Sequence, residues 1–145
     1  MTSEHLLNLQ RIGQLDAVPF SAELMERMLA AADSRLQDAR RSDNSLETRF
    51  DCAYTAIRAV ANAALLKQGF RTSTSKPGHH QTTLHCLVHT LGVAPSTVRV
   101  LDGLRKQRNL SDYDGETITH AALQECLAQA QDWADGCESS RSLTA

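Results

Sequence analysis

The chain has 145 residues, a formal net charge of −2, 41% hydrophobic residues and only 4% aromatic ones. That length fits one ordinary domain, and the near-neutral balance gives no overall basic field for nucleic acid, so any such contact must use a local patch. A core drawn from Ala, Leu, Val, Ile and Met favours packed helices over a sheet.

The N-terminal stretch Met1-Thr2-Ser3-Glu4-His5-Leu6-Leu7-Asn8 has no basic n-region and no long apolar h-region, so it does not read as a signal peptide. No apolar run approaches the length of a bilayer span. The expectation is a cytoplasmic protein that does not enter a membrane. Cys52, Cys86, Cys126 and Cys137 show no C-x-x-C pairing and read as small buried or surface thiols rather than disulfides.

Six helical segments are predicted. The first covers Ser3 to Ile12, with Ser3 as N-cap and Gly13 as stop. The second follows Pro19-Phe20-Ser21, capped by Ser21, and carries the apolar stripe Leu24, Met25, Met28, Leu29, Ala32, Leu36 and Ala39. The third begins at Asp43 or Asn44 and ends at Gly69. Its stripe of Phe50, Ala53, Tyr54, Ile57, Val60, Ala61, Ala64 and Leu65 marks it as the central helix. Phe70 to Gly78 reads as a loop. Its hydroxyls, with Arg71 and Lys76, fit either a phosphate-binding loop or a plain polar connection.

The fourth helix runs from His79 to Leu91, with Leu84, Leu87, Val88 and Leu91 inward. The fifth begins at Pro95-Ser96 and ends at Asp114-Gly115. The sixth begins at Thr117 or Thr119, ends near Ala134, and buries Ala122, Leu123, Cys126, Leu127, Ala130 and Trp133. The expected architecture is all-α, an antiparallel up-and-down bundle over residues 43–135, preceded by an N-terminal helical extension over 1–42 and followed by a flexible tail over 136–145.

His79, His80, His85, Cys86 and His89 form a histidine-rich run, and His85 and His89 have the one-turn spacing zinc can use. No second cluster supplies the remaining ligands at a recognisable spacing, so surface or interface histidines are the expectation, with no metal or other cofactor. A serine or cysteine hydrolase has no G-x-S-x-G elbow and no α/β pattern to hold one.

The fifth helix carries the most informative stretch. Val98, Leu101 and Leu104 mark its inner face, and the next position on that stripe is Arg108, followed one turn later by Asp112. A charge entering a core must be paired or must open onto a cleft or interface. An Arg108–Asp112 intrahelical pair is the simplest account.

With the alanine-rich helix from Tyr54 to Gly69, with Gly78-His79-His80 opening the next helix, and with Arg108-Asn109-Leu110-Ser111-Asp112-Tyr113, the chain resembles the HEPN domains. These are small helical bundles of prokaryotic toxin–antitoxin and defence systems. The likeness covers about Asn44 to Trp133. The family's motif is Arg, a polar residue, three further residues and His. Arg108 and Asn109 match its first two positions, and Tyr113 stands where the His belongs, an Asp-Tyr ending found in some branches.

The resemblance implies a homodimer whose arginine motifs meet in a cleft, and in many members a metal-independent ribonuclease. It assigns the catalytic positions to Arg108, Asn109, Asp112 and Tyr113, with Arg105, His79 and His80 as binding residues. Paired arginines can hold a scissile phosphate, and a histidine can move its proton. A free phenol titrates near about 10, against about 6.5 for imidazole, so a histidine such as His79 or His80 is an alternative to Tyr113 for proton transfer.

Three functions follow: an RNA-cleaving enzyme working through Arg108; a non-catalytic module that binds RNA, a nucleotide or a nucleotidyltransferase-type antitoxin partner; and a purely structural bundle in which Arg108 and Asp112 only pair with each other.

Overall fold

Ser3, Ser21 and Ser45 each precede a run of helix-forming residues, and each closes a helix N-terminus with its own hydroxyl. Ser3 Oγ accepts from His5 N at 3.2 Å, Ser21 Oγ from Leu24 N at 3.1 Å and Ser45 Oγ from Thr48 N at 3.1 Å. The computed structural model describes residues 3–115 and 117–144, and the side chains of all of these except 134 and 136–144. Its elements are α1 (Glu4–Arg11), β1 (Leu15–Ala17), α2 (Ala22–Arg40), α3 (Leu46–Lys67), β2 (Phe70–Thr72), α4 (His79–His85), α5 (Leu87–Thr90), α6 (Pro95–Asp114) and α7 (His120–Thr144). No helix among the described residues is long and apolar enough to cross a membrane.

The chain is predominantly helical, as its composition predicts. α3 is the hub: it packs against α2, α7, α4, α5, α6 and β2. Phe50, Ala53, Tyr54, Ile57, Val60 and Ala61 of α3 are buried together with Leu29, Ala32, Leu36 and Ala39 of α2, Val98, Leu101 and Leu104 of α6, and Leu123, Cys126 and Ala130 of α7. The alanines on α2, α3 and α7 let the helices approach closely. Leu6, Leu15, Leu65, Phe70 and Cys86 make a second, smaller cluster beneath α1. Cys52, Cys86 and Cys126 are free thiols. Cys137 lies outside the described side chains.

Several sequence expectations are corrected. The N-cap of α3 is Ser45, not Asp43 or Asn44. Asn44 instead donates from its side chain to the Asp38 carbonyl at 3.0 Å, closing the turn after α2. Leu24, placed on the inner stripe of α2, is 37% exposed.

Phe70–Thr72 is a strand rather than loop. It pairs antiparallel with β1 in the register Leu15↔Thr72, Asp16↔Arg71, Ala17↔Phe70. The predicted fourth helix is split at Cys86. Around the split, the Thr82, Thr83 and Thr90 hydroxyls donate to the carbonyls of Gly78, His79 and Cys86 at 3.3, 2.9 and 3.2 Å, a back-bonding that bends helices. α7 continues to Thr144 instead of ending near Ala134. The single Gly136 inside it costs about 1 kcal/mol of helix propensity, too little to stop a helix of that length.

Candidate functional site

α4 is aimed by two devices. Gly78 adopts φ +75°, a left-handed conformation that glycine takes without steric cost, and so turns the chain into the helix. The Thr72 and Thr83 hydroxyls share a buried hydrogen bond, 3.2 Å between their oxygens, that fastens α4 to β2. The first residues of α4, His79 and His80, are thereby set near the polar seam between α3 and α6. Their rings meet edge to face, with centroids 4.2 Å apart.

Arg108 lies at the centre of that seam. Its Nε donates to Asp51 Oδ1 on α3 at 2.7 Å and stands 3.7 Å from Asp112 Oδ2. Its guanidinium carbon is 5.4 Å from the centroid of the Tyr54 ring, within cation–π range. Burial works against its charge, but the Asp51 hydrogen bond, then the charges of Asp51 and Asp112, outweigh it and hold the guanidinium protonated more firmly than a free one. Both carboxylate contacts use Nε. The two terminal amino groups carry no hydrogen bond among the described residues.

One turn earlier, Arg105 Nε donates to Asp102 Oδ1 at 3.0 Å, with side chains only 19% and 16% exposed, and Lys106 Nζ approaches Asp102 Oδ2 at 3.6 Å. The positive charges of Arg58, Arg108 and Arg105 all act on Tyr54, after burial, which is the main influence and raises its pKa. Burial, and then Arg58, His79, Arg108 and Arg105, push His80 down to about 4. His80 is therefore a neutral imidazole at physiological pH.

The structure thus brings Arg108, Asp112, Arg105, His79 and His80 to one region. Tyr113, which follows Asp112, is 85% exposed. Asn109 is half-buried and makes no side-chain hydrogen bond among the described residues. The intrahelical Arg108–Asp112 pair exists, but the closer partner is Asp51. The sequence gives Asp51, Arg58 and Asp102 no site role, and Tyr54 reads there as part of the core stripe and of the alanine-rich helix. A signal was available: Asp51, Tyr54 and Arg58 follow an i, i+3, i+7 rhythm along α3.

Two other expected features fall elsewhere. Arg71 stands 3.9 Å from Asp16 across the β1–β2 pair, beside a cavity of about 320 Å³ lined also by Thr72, Ser73, Thr74 and Ser75. Lys76 packs against Gly13, near α1. The hydroxyl-rich segment therefore serves the sheet edge rather than the arginine seam. His85, Cys86 and His89 line a smaller cavity of about 160 Å³ with His5, whose ring stacks on His89 at 4.1 Å. Among the described residues no group of three or more His, Cys, Asp or Glu is placed to hold a metal ion.

Compared with family models, with curated proteins and with solved structures, the chain matches none.

Proposed function

We propose that the Arg108 seam is a HEPN-type site that acts on the phosphodiester backbone of RNA at a cleft between two copies of the chain, without a metal. The observation that carries this proposal is the way Arg108 is held. Asp51 grips Nε at 2.7 Å, which leaves the terminal amino groups to take two phosphate oxygens in the fork geometry a guanidinium favours. Two such groups facing each other across a dimer would stabilise the charge that builds on phosphorus-bound oxygens in the transition state.

Asn109, beside Arg108, would orient the phosphate. His80, neutral at working pH, is better suited than Tyr113 to accept a proton.

The test is cleavage of mixed cellular RNA by the purified protein in EDTA, beside Arg108→Ala. EDTA-insensitive cleavage that falls at least a hundredfold in the variant is expected, the scale of losing an oxyanion-stabilising donor. Equal cleavage by both would overturn the proposal.

A second reading has its own support. A phenol at the motif's histidine position and a cation clamped by two carboxylates suit a module that binds RNA, a nucleotide or a nucleotidyltransferase-type antitoxin without cutting. Under it, Arg108→Ala loses binding, and neither protein cleaves.

A further inference from the structure

Three polar groups beside Arg108 make no side-chain hydrogen bond or ion pair among the described residues. Arg58, on α3, is half-buried yet makes no ion pair or hydrogen bond among the described residues. Tyr54, one turn before it, is 1% exposed, and its hydroxyl has no hydrogen-bond partner. His80, on α4, is half-buried with neither ring nitrogen hydrogen-bonded among the described residues. A buried hydroxyl without a partner is uncommon. The carboxylates nearby are engaged elsewhere: Asp51 and Asp112 with Arg108, and Asp102 with Arg105 and Lys106.

We infer that Arg58, Tyr54 and His80 form an oxyanion-binding site for a phosphate group, adjacent to Arg108 but separate from its carboxylate clamp. Every vacancy has the same sign. Arg58 offers donors that lack an acceptor. The Tyr54 hydroxyl is a buried donor that lacks an acceptor. His80 becomes a donor at both nitrogens once protonated. A carboxylate has two oxygens, both of which a guanidinium fork occupies. A phosphate has enough to meet the guanidinium, the phenol and the imidazole together.

The charges that face His80 are Arg58 on α3, His79 on its own helix, and Arg108 and Arg105 on α6. All are positive when charged, so an incoming anion reverses the local field. It would then favour the protonated ring, and binding and protonation support each other: the anion binds more tightly as pH falls from about 6.5 toward 4. That the phosphate belongs to RNA rests on the function proposed above. That an oxyanion binds does not.

The experiment is an NMR titration of the His80 ring in the full chain, in chloride and in sulfate at equal ionic strength. Sulfate stands in for phosphate because it stays a dianion throughout. The midpoint is expected to rise in sulfate by about one pH unit, equivalent to about tenfold tighter binding to the protonated form. The rise should vanish in Arg58→Gln and shrink in Tyr54→Phe, a variant that keeps the ring under Arg108. A midpoint that does not move in sulfate, or that moves equally in both variants, would overturn the site.

Two further arms identify the source. A rise with an adenylyl dinucleotide assigns the site to a phosphodiester of a chain. A rise with adenosine 5′-monophosphate alone assigns it to a terminal phosphate. Failure here is distinguishable from failure of the ribonuclease proposal. Arg108-dependent cleavage with an unmoved His80 would remove this site and keep the enzyme. A moved His80 without cleavage would do the reverse.

Discussion

Asp51 and Arg108 meet at 2.7 Å although 57 positions separate them in the chain. Asp51→Asn keeps the shape and removes the charge, leaving Arg108 with Asp112 alone at 3.7 Å. A loss of about 1 kcal/mol in urea unfolding is expected, the scale of a partly exposed ion pair. A change indistinguishable from zero would show that the clamp matters for positioning only. Tyr54→Phe should behave in the opposite way. Removing a buried hydroxyl that has no partner leaves stability unchanged or raises it by about 1 kcal/mol in anion-free buffer, and a clear drop would mean that the hydroxyl is already satisfied. Arg108 was legible in the sequence because a charge interrupting an apolar stripe needs an explanation. Asp51 was not, because a pair between two helices leaves no local spacing, whereas Asp112, one turn away, offered a local partner that satisfied the same requirement.

The elements were legible in proportion to their length. α3 declared itself through several turns of unbroken apolar rhythm, and every residue of its predicted stripe is buried. β1 and β2 have three residues each, too few for a period-two pattern, and the hydroxyls of the second strand's neighbours read as a loop. The start of α3 was misplaced by a residue or two because Asp43, Asn44 and Ser45 are all good caps, and only geometry chooses among them. Ser45→Ala should lower stability by about 1 kcal/mol, whereas Asp43→Ala should leave the helix start unaffected. Circular dichroism melts of the two variants decide this, and a larger loss for Asp43→Ala would contradict the assignment. Leu101, buried where α6 meets the core, should cost about 2–5 kcal/mol when truncated to Ala. A loss under about 1 kcal/mol would mean that α6 is not packed on α3 as described.

For the molecule as a whole, acid is the natural stress. His80 is held at about 4, mainly by burial and then by Arg58, and His89 is also lowered, by burial and then by its stacked partner His5. A histidine whose folded pKa lies below its unfolded value of about 6.5 contributes stability that is present above that value and lost as pH falls toward the folded one. The thermal midpoint should therefore decline between about pH 6.5 and 4, and less steeply in His80→Asn. Identical declines would rule out His80 as the source. The small cluster of Leu6, Leu15, Leu65, Phe70 and Cys86 sits apart from the main core, tied to it chiefly through Leu65 and the short sheet. Such an arrangement divides cooperativity. α1 with β1 forms a unit that can open while the helices beneath it stay closed. Amide exchange at Leu7, whose N–H is bonded to the Ser3 carbonyl at 3.2 Å, would then report a smaller opening free energy than exchange at Val60, and a single melting temperature would describe the second but not the first.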